Sequence, residues 1–72
     1  MKPMSARQFE KALDTLGLDQ VRAAELLNVT DRAIRFWISG RRPVSGTAEA
    51  FLRYLLSTKT TGAQALSIIK GN

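Results

Sequence analysis

A chain of 72 residues, 44% of them hydrophobic, makes one small domain with a thin core, because a chain of this length buries only roughly 60% of its unfolded surface. It contains no Cys and no His, which excludes disulfides, the usual zinc sets, and Ser-His-Asp or Cys-His catalysis. Eleven Lys and Arg against six Asp and Glu leave a net charge of +5, which fits either an acidic partner such as nucleic acid or a solubilising surface.

Gly17, Asn28, Gly40 with Pro43, and Gly62 punctuate the chain, and the five segments between them each read as a helix. The first is expected over about Ala6 to Leu16. Ser5 and Gln8 have capping-box spacing, Phe9, Ala12, Leu13 and Leu16 form one apolar stripe, and Gly17 suits a left-handed stop. The second is expected over about Gln20 to Leu27, capped by Asp19, with Val21, Ala24 and Leu27 inward and Ala23 beside them. Asn28, which tolerates a left-handed backbone, ends it.

The third helix is expected over about Asp31 to Ser39, capped by Thr30. Asp31 lies favourably at its positive end, Ile34, Trp37 and Ile38 form its apolar stripe, and Gly40 stops it. The fourth is expected over about Thr47 to Ser57, with Ala48, Phe51, Leu52 and Leu55 inward. The fifth is expected over about Gly62 to Ile69, with Thr61 and Gln64 as a second capping box and Leu66 and Ile69 inward. No stretch alternates with period two, so the expected fold is all-α, a single domain over residues 1–72 with its core over about 5–57 and a C-terminal helix over about 62–70 that packs or dimerises. Glu10, Asp14, Glu25 and Glu49 are expected to be solvated.

The stretch from Gln20 to Ser39 meets the physical needs of a helix-turn-helix. Two helices that cross closely need a small residue at the crossing, and Ala24 is there; the tight turn needs a residue that tolerates positive φ, and Asn28 is there. Val29 plugs the corner. Ile34 and Trp37 anchor the second helix on one side, which leaves Arg32, Arg35 and Ser39 on the other, with Thr30 and Asp31 at the exposed start. Such a helix suits a major groove about 12 Å wide. Arg22, Arg32, Arg35, Arg41, Arg42 and Arg53 occupy the middle of the chain, whereas Lys2, Lys11, Lys59 and Lys70 lie toward its ends. Arginine is the base suited to bidentate contact with phosphate and guanine.

In Leu18 to Gly40 the chain resembles the Cro and phage-repressor type of DNA-binding domain, the XRE family. Gln20, Ala24, Val29, Thr30, Ile34, Trp37 and Gly40 match that family's pattern in register without a gap, and Phe9 to Gly17 and Arg41 to Leu56 resemble its flanking helices. Asn28 replaces the usual turn glycine, and Phe36 stands where the family is often polar. The resemblance implies a five-helix, lambda-repressor-like domain with a central helix-turn-helix. It implies base contacts from Thr30, Asp31, Arg32, Arg35, Phe36 and Ser39, with Arg32 and Arg35 foremost, each gripping guanine O6 and N7. It implies phosphate contacts from Gln20, Arg41, Arg42, Ser45 and Thr47. Several positions keep a second reading. Asp31 is a cytosine acceptor, an orienter of Arg32 or Arg35, or a helix cap. Phe36 meets a thymine methyl, or packs in the core or a dimer. Trp37 reads as core, and Arg22 and Arg53 stay open as backbone contacts.

The family usually binds as dimers to two half-sites, and Leu55, Leu56, Ile68 and Ile69 exceed what one inward face needs, so they are the candidate dimer surface. The resulting expectation is a phage- or prophage-derived transcriptional repressor that binds a double-stranded DNA operator as a homodimer, with no cofactor, metal or small-molecule ligand. Antitoxins and the regulators that accompany anti-CRISPR genes also resemble it, and Arg22 to Leu27 followed by Asp31-Arg32 is similar to the latter. The alternative is a protein-interaction module, antitoxin-like, with DNA incidental. An enzyme is not expected, since the carboxylates are scattered. No apolar run approaches the ~18 residues of a membrane span, and the start lacks the apolar middle of a signal peptide. The expected location is the bacterial cytoplasm, nucleoid-associated when DNA is bound.

Overall fold

Every helix begins on a side-chain acceptor. In the computed structural model, which describes residues 4–71, Ser5, Asp19, Thr30, Ser45 and Thr61 accept the backbone N–H groups of Gln8, Arg22, Ala33, Ala48 and Gln64 at 2.7–3.2 Å. Each satisfies one donor that the first helical turn leaves open. The helices are α1 (Ala6–Leu16), α2 (Gln20–Leu27), α3 (Asp31–Ser39), α4 (Gly46–Ser57) and α5 (Gly62–Ile69). No strand occurs among the described residues, and the fold is all-α. Lys2 lies outside the described residues.

The helices stop by one repeated device. Gly17, Asn28 and Gly40 adopt left-handed φ values of 72°, 57° and 79°. The next amide then bonds back to the carbonyl five residues earlier: Leu18 to Leu13, Val29 to Ala24 and Arg41 to Phe36, at 2.9–3.0 Å. This is the 6→1 closure of a Schellman turn. α4 ends the same way, but on Lys59 (φ 58°), with the Thr60 amide bonded to the Leu55 carbonyl at 3.0 Å. The fourth stop therefore falls on Lys59 and not on Gly62. Gly62 instead sits buried at the start of α5, where a Cβ would collide with the Leu18 side chain and lie 2.9 Å from the Leu16 carbonyl oxygen.

Phe9, Ile34 and Leu52 are wholly inaccessible and come from α1, α3 and α4, so the core lies where those helices meet. Met4, Leu13, Leu16, Trp37, Val44 and Leu55 extend it. α1 packs on α3 and α4, whereas α2 packs on α3 and α5. Leu66 and Ala65 bring α5 into the same cluster.

Several inward assignments shift. In α2 the buried residues are Ala23, Ala24 and Leu26, while Val21 is 59% exposed and Leu27 only partly buried. The short helix is rotated so that its alanines face the crossing and Val21 points out. In α5, Ala65 and Leu66 are buried and Ile69 is 54% exposed. Phe51 is half-buried. Leu55 is buried, so its side chain is filled by the chain's own core and drops out of the candidate dimer surface. Leu56 is partly buried against that core, and Ile68, at 73%, and Ile69 remain exposed.

Glu49 is the largest departure. It is buried on α4 instead of solvated. Its Oε1 accepts the Met4 amide at 2.7 Å and its Oε2 accepts Arg53 Nε–H at 2.8 Å. The Arg53 hydrogen bond first, and the Met4 amide second, hold its carboxyl below the ordinary 4.5 of a glutamate, against the cost of burial. Glu25 is exposed but not free: Lys70 Nζ lies 2.8 Å from its Oε2, which ties the end of α5 to α2 and lowers the Glu25 pKa. Glu10 and Asp14 are exposed.

Candidate nucleic-acid interface

α2 and α3 are joined by Asn28, Val29 and Thr30 alone. A turn that short forces the helices to cross within side-chain reach, and Ala23 and Ala24 on α2 make room for it. Val29, half-buried, packs against the core at the corner. On α3, Ile34 and Trp37 are buried, with Ala33 and Ile38 partly so. Trp37 meets Phe9 of α1 edge to face. With this side sealed, Asp31, Arg32, Arg35 and Ser39 project from the opposite side and are all exposed, and Phe36 is half-buried at its margin.

The structure divides the candidate base-contacting residues. The Arg35 side chain makes no hydrogen bond, ion pair or ring contact with another described residue, so its five guanidinium donors are open. Asp31 makes no ion pair with Arg32 or Arg35 among the described residues, so it orients neither and sits in the first turn of α3 as a dipole partner. The hydroxyl oxygen of Thr30 caps α3 at 3.1 Å, and its O–H remains available as a donor. Ser39 Oγ donates to the Phe36 carbonyl at 3.2 Å and accepts from the Arg41 amide at 3.4 Å, which commits it to the helix end.

Phe36 gathers the rest. The Arg32 guanidinium carbon lies 5.3 Å from its ring centroid, and those of Arg41 and Arg42 lie 5.5 Å from it. These three cations and the partnerless Arg35 are exposed, and no carboxylate pairs with any of them among the described residues. Their charge is therefore left to the solvent side.

The candidate phosphate contacts fall in three places. Arg41 and Arg42 flank the end of α3. Ser45 and Thr47, at the start of α4, line a groove of about 240 Å³ with Val29 and Leu27 of the α2–α3 corner. The Ser45 oxygen caps α4 at 3.2 Å, and its O–H remains available as a donor. Gln20 is exposed at the first position of α2. Arg53 is engaged by Glu49, and Arg22 is exposed.

Sequence reasoning missed two of these relationships. The Arg32–Phe36 contact was in reach, since residues four apart share a helix face. The approach of Arg41 and Arg42 depends on the reversal at Gly40, which spacing does not encode. No cluster of three or more acidic residues that would hold a metal occurs among the described residues, and no helix among them is long and apolar enough to cross a membrane. Neither a family model nor a curated protein nor a solved structure matches the chain.

Proposed function

We propose that the chain is a sequence-specific double-stranded DNA-binding protein that lays α3 in the major groove. The observation that carries this is the two-sidedness of α3: Ile34 and Trp37 are sealed inside, while Arg32 and Arg35 stand exposed with no carboxylate paired to them. A short helix held at one side by a tight turn, with open arginines on the other, matches the shape and donor pattern that base edges require. Arg35 is the foremost base reader on this proposal because nothing else engages it. Arg41 and Arg42 serve the backbone, joined by Ser45, Thr47 and Gln20.

Two copies on a two-fold axis would read half-sites about 34–36 Å apart and double the contacts. Ile68 and Ile69, exposed on α5, are the surface this dimer would use. The simplest regulatory consequence is repression by occupying an operator. The resemblance to the Cro and phage-repressor domains supports the same reading.

The direct test is affinity for a mixed-sequence duplex across a salt series. Binding should weaken with added salt with a slope of ~0.9 per phosphate contacted. Binding that ignores salt, or none at all, overturns the proposal.

A second reading rests on Val21, Ile68 and Ile69, which are more than half exposed on the paired helices α2 and α5. Exposed apolar side chains on two packed helices suit a protein partner in place of a second copy. Sedimentation of the chain alone separates the two: a dimer favours self-association, and a strict monomer at high concentration favours a foreign partner.

A further inference from the structure

We propose that Phe36 is a positioning residue that gathers Arg32, Arg41 and Arg42 into one unit for gripping the phosphodiester backbone, and that it reads no base. The nature of the anion rests on the DNA-binding reading above. The unit itself rests on geometry.

Phe36 organises this unit twice over. Its ring carries the three guanidiniums at 5.3, 5.5 and 5.5 Å from the centroid. Its carbonyl oxygen accepts the Arg41 amide at 2.9 Å, the Arg42 amide at 3.3 Å and the Ser39 hydroxyl at 3.2 Å. The segment that bears Arg41 and Arg42 is thus strapped to the residue whose ring those side chains meet. Arg32 arrives from one turn earlier on α3, so the unit joins the helix to the segment after it.

Such an arrangement is electrostatically incomplete. Three guanidiniums within 5.5 Å of one ring centroid concentrate like charge there and repel one another. No carboxylate among the described residues pairs with any of them. Quadrupole attraction to the ring holds each cation while leaving N–H edges free to donate. An anion with several oxygens completes the set, and a backbone phosphate has the right charge and fork geometry. A shallow open cleft of about 490 Å³, lined by Thr30, Arg32, Ala33, Phe36, Trp37 and Arg42, gives the anion a place beside the ring. Arg32 thereby moves from the base edges to the backbone, and Arg35 is left as the arginine that discriminates.

The experiment compares the full chain with Phe36→Leu and Phe36→Tyr, using duplex affinity over a salt series. Phe36→Leu should lose about tenfold on all sequences alike, with a flatter salt dependence, because about one cation–π contribution per arginine is removed. Phe36→Tyr should keep both affinity and slope. Replacing thymine by deoxyuridine in the duplex removes the methyl groups and should leave the wild-type chain unaffected. An unchanged slope in Phe36→Leu, or a loss in the wild-type chain on deoxyuridine duplex that Phe36→Leu abolishes, overturns the proposal.

A second measurement needs no variant and no DNA. Titrating the wild-type chain with inorganic phosphate should shift the Nε–H resonances of Arg32, Arg41 and Arg42 together, with Arg35 lagging. Three independent responses, or none, contradict the unit. Concerted shifts without any duplex binding would leave the unit standing and remove the DNA reading. Duplex binding with an unchanged slope in Phe36→Leu would do the reverse.

Discussion

Phe9 and Trp37 meet edge to face, with ring centroids 5.5 Å apart and planes at 87°. This contact joins α1 to α3 and, with the buried Ile34, holds one side of α3 inward. Phe9 is wholly inaccessible and its neighbours are rigid helices, so truncation leaves a cavity that the fold cannot close. Phe9→Ala should cost about 3–5 kcal/mol of unfolding free energy, followed by the fluorescence of Trp37, the single tryptophan. A loss below about 1 kcal/mol would mean the ring contact does not set the packing of α3.

Glu49 makes stability depend on pH in a definite direction. Its pKa is lowered in the folded chain by Arg53 and by the Met4 amide, so its contribution is present above the unfolded value and is lost as pH falls through the folded one. Glu49→Gln should be less stable than wild type near neutral pH. The gap should close as pH falls below the ordinary glutamate value of 4.5. Thermal melts of both chains from about pH 7 down to about pH 3 check this, and a gap that stays constant would contradict it.

Lys59 holds a positive φ of 58° to end α4. An L residue with a Cβ pays roughly 1–2 kcal/mol there, part of which glycine returns as entropy in the unfolded chain. Lys59→Gly should therefore raise stability by about 1 kcal/mol, or the melting temperature by about 4–8 °C. A fall in melting temperature would show that the lysine side chain is needed where it sits.

Gly62 gives a test with opposite signs. In an open helical position alanine improves on glycine by about 1 kcal/mol. Here the added Cβ would overlap the buried Leu18 side chain and lie 2.9 Å from the Leu16 carbonyl oxygen, a backbone atom that cannot swing aside. Gly62→Ala should destabilise by about 1–3 kcal/mol in urea titration. Stabilisation would mean that α5 packs less closely on the α1–α2 turn than described.

The helices were legible because each carries its own punctuation. Capping residues at Ser5, Asp19, Thr30 and Thr61, and left-handed stops at Gly17, Asn28 and Gly40, are local chemistry, and four of the five helices have the expected ends, while α4, whose Ser45 cap was not recognised, starts one residue earlier, at Gly46. Rotation about the helix axis was less legible where a helix is short and its apolar residues go all round. Val21, Leu26 and Leu27 of α2 offered two faces, and only the crossing with α3 and α5 chooses between them. The Arg53 partner of Glu49, four residues on, was in reach of the sequence, but its burial was hidden because its second partner, the Met4 amide, lies 45 residues away. The exposed arginines of α3 followed from the apolar stripe, but their collection on Phe36 depends on tertiary geometry.

The central claim is that the outward face of α3 discriminates among DNA sequences. Selection of bound sites from a random duplex pool, run in parallel for wild type, Arg35→Ala and Arg41→Ala, tests it most directly. The account predicts that wild type enriches one site with two related half-sites, that Arg35→Ala changes the preferred base within them, and that Arg41→Ala keeps the preference but binds every sequence more weakly. A wild-type pool that stays random, or the same site enriched equally strongly by all three chains, would contradict it.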